Sequence, residues 1–255
     1  MNFTSVLKTT GFALLCFAVF SCKKGSDPEI NGTGNINLEF DHRVGNQALQ
    51  MNTQTYTNAN GDDFKVSRFR YYVSNVTLVK SDGTRVKIPE SYLLVDDSDA
   101  ASKAQKLEKI PAGDYTSMDF VIGVDEARNF AGAQTGALDP AKGMFWSWNT
   151  GYIFVQFEGT SSKSAQPSNQ LFFHVGGAKD PANAVRTVSL TFPLTMRVRT
   201  DTEPDVHLFV DLAALFKGKT TISFASISGF HGGASGLLVA DNYVNGLFKV
   251  DHIHN

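Results

Sequence analysis

The chain has 255 residues, of which 42% are hydrophobic and 20 are phenylalanine. This composition supports a substantial buried core, which argues against intrinsic disorder. The formal net charge is -2 and the basic residues are scattered, so nothing in the charge pattern indicates a nucleic-acid partner. The length fits one large all-β domain or two small ones.

The N-terminal segment has the pattern of an export signal. Lys8 precedes an apolar run at 11–20, which is too short for the roughly 20 residues of a membrane-spanning helix. The run ends in Ala-Val-Phe-Ser-Cys, which resembles a bacterial lipobox, in which the cysteine becomes the lipidated first mature residue. The alternative is a non-lipidated secretory signal in which Cys22 has no role.

We therefore predict a signal peptide at 1–21, a lipidated Cys22 with a polar tether at 22–35, and a mature domain at 36–255. The protein would lie in the cell envelope, anchored at the periplasmic face or the cell surface of the outer membrane. Cys16 would be removed with the signal, so the mature domain would contain no free thiol. A metal site in that domain would use histidine, methionine or oxygen ligands, which excludes cysteine-rich zinc sites.

Alternating apolar and polar residues predict many short strands. At 35–42, three apolar side chains share one face of a strand, and His42 lies at the end of that face. Similar patterns predict further strands at 64–80, 113–124, within 143–159, and at 170–175, 185–198, 206–211 and 220–227. Helices are predicted at 101–110 and 237–247. This balance indicates an all-β, antiparallel β-sandwich of the Ig-like or Greek-key type, with long loops and one or two short helices.

The stretch at 143–159, GMFWSWNTGYIFVQFEG, contains both tryptophans of the chain. In a β conformation Trp146 and Trp148 would project to the same side, because residues two apart share a face. Taken alone, such a pair belongs to a core more often than to a binding site. The alternative is the wall of a site.

The six histidines are candidate metal ligands. His252 and His254 are two apart and would face one side of a strand, although an exposed tail would show the same spacing. His231 stands beside two glycines, as either a ligand or a turn residue. His207, in an alternating strand, is interpreted as an ordinary surface or core residue.

His42 and His174 form the stronger pair by sequence. Each ends a predicted strand and follows an aromatic residue on the same face, Phe40 and Phe172 respectively. Neutral imidazoles in a thiol-free exported domain suit copper or zinc, and copper(II) has the highest affinity in the divalent series. The alternative is two unrelated histidines at strand ends.

No catalytic motif is evident. The chain lacks a G-x-S-x-G elbow, an H-E-x-x-H motif and a phosphate-binding glycine loop. This absence favours a binding protein over an enzyme.

Five segments of the chain resemble the MbnP-like copper-binding domain family. They are FDHRVGNQAL (40–49), RYYVSNVTL (70–78), GDYTSMDFVIGVD (113–125), LDPAKGMFWSWNTGYIFVQFEG (138–159) and FFHVGG (172–177). The resemblance extends in order over nearly the whole predicted mature domain. The segment around the two tryptophans is highly specific to that family.

The resemblance implies an exported or lipid-anchored protein that binds copper, often encoded beside a di-haem peroxidase of the MbnH type. In relatives that partner oxidises a tryptophan to kynurenine, and copper binding involves histidines and the modified residue. Carried over, Trp146 and Trp148 are the candidates for oxidation, and His42 and His174 match strand-end histidines of the family. The His252-x-His254 pattern resembles lipoprotein members and would form or complete a metal site.

A different class of function remains open from the sequence. Exposed indoles of Trp146 and Trp148 could form a stacking platform of a glycan-binding or interaction module. That alternative predicts no histidine nearby, whereas the copper hypothesis predicts clustered histidines. A purely structural scaffold is the third possibility.

Overall fold

The computed structural model describes Met1, residues 30–146 and residues 151–255. The predictions for the signal peptide, Cys22 and Trp148 therefore fall outside the described residues. Within the described part, no helix has both the length and the apolar character needed to cross a membrane.

The described chain is built mainly of strands. In chain order they are β1 (Thr33–Val44), β2 (Gln47–Ala48), β3 (Tyr56–Thr57), β4 (Asp63–Lys80), β5 (Arg85–Lys87), β6 (Tyr92–Asp96), β7 (Ala104–Pro111), β8 (Gly113–Ile122), β9 (Phe145–Trp146), β10 (Gly151–Thr160), β11 (Gln170–Gly176), β12 (Arg186–Val198), β13 (Asp205–Asp211), β14 (Gly229–His231) and β15 (Phe248–His254). The α-helices are α1 (Glu126–Asn129) and α2 (Gly233–Tyr243). Short 3-10 turns lie at Ala100–Lys103, Gly136–Leu138, Pro140–Lys142, Pro167–Asn169 and Leu212–Leu215.

The strands form two sheets. The smaller has the order β15-β13-β1-β2, with β7 also on β1, and the larger has the order β12-β8-β4-β10-β11-β14, with short strands added to β4 and β10. Most pairs are antiparallel, but β1 with β13 and β11 with β14 are parallel, so both sheets are mixed. The predicted all-β sandwich is confirmed.

The core lies between the two sheets. Strand β1 alternates as predicted: Ile36, Leu38 and Phe40 are at most 2% exposed, and the side chains between them face outward. Phe40 meets Tyr71 of the larger sheet edge-on, with 6.1 Å between ring centroids, and Phe248 of β15 packs against both. Each buried ring of this kind contributes about 1.5–3 kcal/mol through burial, so the aromatic layer is a main source of sheet-to-sheet stability.

The helix predicted at 101–110 is wrong. After one 3-10 turn the chain forms β7, which pairs antiparallel with β1. Leu107 and Ile110 are buried although they are three residues apart, a spacing that resembles a helix. The register shifts there and Lys109 has φ 58°, so a β-bulge supplies the extra residue that turns both side chains inward.

The strand predicted at 220–227 is also absent from the described structure. Backbone amides in this stretch bond outside any ladder: Phe224 N–H donates to Asp62 Oδ2 at 2.8 Å, and Ile222 N–H donates to the carbonyl of Phe216 at 3.0 Å. Asp62 is distant in sequence and Phe216 lies just upstream of the stretch, and neither bond could be read from local alternation.

Candidate functional site

Two histidines are brought side by side by the parallel pairing of β11 with β14. The register aligns Phe172 with Gly229, Phe173 with Phe230 and His174 with His231. Aligned residues on neighbouring strands project to the same face, so the two imidazoles meet. We call His174 and His231 the histidine pair.

The two rings of the histidine pair converge through their Nδ1 atoms, which are 2.9 Å apart. The ring of Phe172 stacks on His231 with 5.2 Å between centroids. The Phe172 ring also lies over Gly229, where an added Cβ would come within 2.3 Å of that ring. The glycine thus creates the space in which Phe172 supports His231.

A carboxylate sets the tautomer of His174. Its Nε2 is 2.9 Å from Oε1 of Glu158, which as an acceptor requires the proton on Nε2. The lone pair of His174 is then on Nδ1, facing His231. Metal-binding histidines commonly have such a carboxylate behind the ring.

Burial lowers the pKa of His174 from its ordinary value, because a half-buried cation is poorly solvated. The hydrogen bond to Glu158 opposes this shift, and the charge of a protonated His231 adds to it. The net effect favours neutral imidazole, which is the form that binds metal ions.

Trp146 lies beside the histidine pair and is only 6% exposed. A Cβ placed on Gly176 would lie 2.7 Å from Cζ3 and 2.8 Å from Cη2 of the indole. A Cβ placed on Gly232 would lie 3.4 Å from Cη2 and 3.7 Å from Cζ3. Gly176 is two residues after His174 and therefore on the same face of β11, while Gly232 directly follows His231. The indole thus occupies space that these two glycines leave open.

The loop leading to Trp146 is tied to the same face of the sheet. Arg70 of β4 donates to the carbonyl oxygens of Lys142 at 2.9 Å and Gly143 at 3.3 Å. Its Nε also donates to Oε1 of Gln156 at 2.8 Å. Gln156 is in register with His174. A row of polar side chains therefore links this loop to the histidine pair.

The donor set of the histidine pair fits a first-row divalent ion. Two donors about 2.0 Å from one ion and at right angles to each other are about 2.8 Å apart, which is close to the observed 2.9 Å. Right angles between ligands are typical of tetragonal copper(II) sites. Binding would require only that any proton on Nδ1 of His231 move to its Nε2.

His42, the predicted partner of His174, lies in the smaller sheet, and the structure does not bring the two together. Its side chain is 1% exposed, with Nδ1 2.7 Å from Asp97 Oδ1 and Nε2 3.0 Å from the hydroxyl of Tyr71. Burial, with the charge of Asp97, raises the pKa of Tyr71 well above its ordinary value, so its hydroxyl remains a donor. Both nitrogens of His42 are thus used in core hydrogen bonds, and a role as a metal ligand gains no support.

A second group of histidines forms on the smaller sheet. The potential ligand atoms of His207, His252 and His254 all lie within 4.8 Å of one another. We call these residues the three-histidine cluster. His252 and His254 were predicted as metal ligands, whereas His207 was interpreted as an ordinary residue. The sequence shows that His207 lies in an alternating strand, but it does not show that β13 pairs with β15.

The stacking-platform alternative requires exposed indoles without nearby histidines. Trp146 is buried and packs against backbone next to both members of the histidine pair. Trp148 lies outside the described residues. For Trp146 the requirement is not met.

Comparisons with known proteins agree with this architecture. A family model described as MbnP matches residues 33–231. Among solved structures, the chain is similar to MbnP from Methylosinus trichosporium, with a TM-score of 0.51 and 18% sequence identity over 81% of this chain and 83% of that one. A search of curated proteins gave no match. The family match includes the histidine pair and Trp146 but ends before His252, and because it spans most of the sequence, the chain belongs to the MbnP family.

Proposed function

We propose that this protein is a copper-binding protein of the cell envelope that takes part in copper acquisition or handling. Copper is held by His174 and His231 beside Trp146. The observation that carries the proposal is the 2.9 Å separation of the two Nδ1 atoms next to a buried indole. Membership of the MbnP family supports it.

Each neighbouring residue has a defined role in this proposal. Glu158 keeps the lone pair of His174 on Nδ1, and Phe172 supports the ring of His231. Burial favours the neutral form of His174, so an ion does not compete with a tightly held proton there. Copper bound by two neutral imidazoles keeps positions open, which suits a protein that receives and passes on its ion.

Copper titration of the purified full chain tests the site. The His174→Ala and His231→Ala variants should each lose one tightly bound copper ion, with a drop in affinity of more than about 100-fold, larger than the effect of losing an outer partner. Gln170→Ala, on the same strand and exposed, is the matched control. Unchanged copper stoichiometry and affinity in both histidine variants would disprove the assignment.

We further propose that Trp146 or Trp148 is oxidised to kynurenine by a di-haem peroxidase of the MbnH type. The C2–C3 bond of the indole is cleaved as two oxygen atoms are added, each from one peroxide molecule whose other oxygen leaves as water. Hydrolysis then releases formate and leaves the aryl amine. The benzene ring of Trp146, whose outer edge lies against the backbone at Gly176 and Gly232, would carry the new carbonyl and amine, so the modified residue would remain beside the histidine pair.

Peptide mass spectrometry distinguishes the two tryptophans. Protein treated with such a peroxidase and peroxide should carry the modification on one of them, and Trp146→Phe should abolish it if Trp146 is the target. Unmodified tryptophan at both positions in protein isolated from its own cells would contradict the oxidation step. The copper titration above does not depend on this result.

The proposed anchor is a lipid on Cys22, after removal of residues 1–21. Metabolic labelling with a fatty-acid analogue should tag the parent protein at the cell envelope but not the Cys22→Ala variant. Equal labelling of both proteins would exclude Cys22 as the attachment point.

A further inference from the structure

The outer face of the smaller sheet carries the three-histidine cluster. The rings of His207 and His252 stack, with centroids 4.1 Å apart, and His254 stands edge-on to both at 5.4 and 4.8 Å. Strand pairing sets this arrangement, because His207 is in register with His252, and Asp205 with His254. Three imidazoles from two neighbouring strands therefore share one small area.

A β-bulge places the two histidines of β15 on this face. Lys249 faces outward and Val250 inward, so simple alternation would turn His252 toward the core. The register shifts between His207 and Leu208, which pair with His252 and Val250, leaving Asp251 as the extra residue. The bulge reverses the alternation, so His252 and His254 join His207 on the outer face and Ile253 is buried instead.

Carboxylates hold two of the three rings from behind. Nδ1 of His252 is 2.7 Å from Oδ2 of Asp251, the bulge residue itself, and Nδ1 of His207 is 3.2 Å from Oε2 of Glu39 on β1. A carboxylate on Nδ1 requires the proton there and leaves the lone pair on Nε2. This carboxylate–imidazole arrangement orients ligands and strengthens their donors in metal sites.

The surroundings favour a cation and give it access. Oδ2 of Asp41 is 3.9 Å from Nδ1 of His207, which adds a third carboxylate to the neighbourhood. The His252 side chain is 46% exposed, and Glu39 and Asp41 line an open cleft of 670 Å³. An ion and its water can therefore reach the histidines from solvent without movement of the core.

The distances require only a small adjustment. Three nitrogens bound tetrahedrally at 2.0–2.1 Å would be about 3.3 Å apart, whereas the ligand atoms here lie within 4.8 Å of one another. We expect rotation of the exposed His252 and His254 side chains to supply this adjustment. The backbone, fixed by the β13–β15 ladder, does not need to change.

We propose that His207, His252 and His254 form a second metal site, separate from the histidine pair, that binds a first-row divalent ion such as Zn²⁺ or Cu²⁺. Nε2 of His207, Nε2 of His252 and one ring nitrogen of His254 bind the ion, and a fourth position stays open to water or to a ligand from outside. The site goes beyond the copper site proposed above, because two of its ligands lie outside the residues that match the family.

Zinc titration of the full chain, with Zn²⁺ alone as the probe, tests the second site. The His252→Ala/His254→Ala double variant should bind one zinc ion fewer than the parent, and His207→Gln should weaken the same binding step by more than about 100-fold. Lys249→Ala, exposed on the same face of β15, is the matched control. Circular dichroism and thermal melting of each variant establish that the fold is retained.

The histidine pair provides the independent reference. His174→Ala/His231→Ala should leave the zinc ion of the three-histidine cluster in place, whatever its effect on copper. If the His252→Ala/His254→Ala variant keeps the zinc stoichiometry and affinity of the parent, the second site is disproved. That result would leave the copper proposal unaffected, since it is judged by the histidine-pair variants.

Asp251 serves as a positioning residue in this proposal. Asp251→Asn should keep the zinc stoichiometry but weaken the affinity by about 10–100-fold, because the amide no longer accepts the Nδ1 proton in the same way. Loss of stability without any change in zinc affinity would assign Asp251 a purely structural role and remove the carboxylate argument.

Discussion

The histidine pair and the three-histidine cluster occupy the two sheets of the same molecule and differ in almost every physical respect. In the pair, the His174 side chain is only 12% exposed, with an indole beside it, whereas His231 is exposed. In the cluster, the His252 side chain is 46% exposed, and the neighbouring Glu39 and Asp41 line an open cleft. Both groups nevertheless share one device, a carboxylate that fixes the tautomer of a ligand.

The difference in exposure between the two sites predicts different rates and selectivities of metal binding. At the pair, the packed aromatic wall and the nearly buried His174 restrict the approach of ligands and water from one side. An exposed site on a sheet face equilibrates with the surrounding solution. We therefore expect slow, selective copper binding at the pair and faster, less selective binding at the cluster.

The largest effect is expected for removal of the indole. Trp146→Ala should lower the free energy of unfolding by about 3–5 kcal/mol, as for other buried aromatic residues. It should also lower the affinity of the histidine pair for copper and leave the affinity of the three-histidine cluster for zinc unchanged. Denaturant unfolding and parallel titrations measure this. Phe145→Ala, which shortens the neighbouring, partly buried side chain that packs on Tyr152, is the control. Equal weakening of both metal steps would show that the two regions are coupled.

A variant of His42 tests whether this residue is a structural histidine or a metal ligand. His42→Ala should cost about 2–4 kcal/mol of unfolding free energy, because it leaves Asp97 and Tyr71 without a buried partner and opens a cavity. Copper and zinc stoichiometry should stay the same. His252→Ala, an exposed histidine, should change stability by less than about 0.5 kcal/mol. A lost metal ion in the His42 variant would restore His42 as a ligand.

Glu158 and Glu39 each hold one proposed ligand, His174 and His207 respectively, and so allow a matched test of these supporting carboxylates. Glu158→Gln should weaken copper at the pair by about 10–100-fold, and Glu39→Gln should weaken zinc at the cluster within the same range. Each variant should leave the other site unchanged. We expect the Glu158 effect to be the larger, since its bond to His174 is 2.9 Å and that of Glu39 to His207 is 3.2 Å. Crossed effects would contradict two independent sites.

The smallest effect concerns acid stability. Burial alone would raise the pKa of Asp97, but the hydrogen bond and charge of His42, with Lys103, outweigh it and lower the pKa below its ordinary value. The resulting stabilisation is fully present above the unfolded pKa of about 3.9 and is lost as the pH falls through the lower folded pKa. The melting-temperature difference between the parent and Asp97→Asn should therefore shrink below about pH 4. A constant difference would show that the Asp97 charge does not contribute.

Much of the strand content was predictable because alternation is a local property. The apolar face of β1, including the position of His42 at its end, followed directly from sequence, as did the all-β class. The stretch at 101–110 was mistaken for a helix because a bulge at Lys109 gives buried residues a three-residue spacing. Local patterns cannot distinguish that bulge from a helical turn.

By itself, the sequence determined which residue types were available: a predicted mature domain without thiols, six histidines, and a tryptophan stretch typical of the MbnP family. Only the tertiary structure decided which histidines meet. It paired His174 with His231 instead of His42, and it added His207 to His252 and His254. The physical reason is strand register, which depends on pairing between segments distant in sequence and is set by burial of whole strand faces.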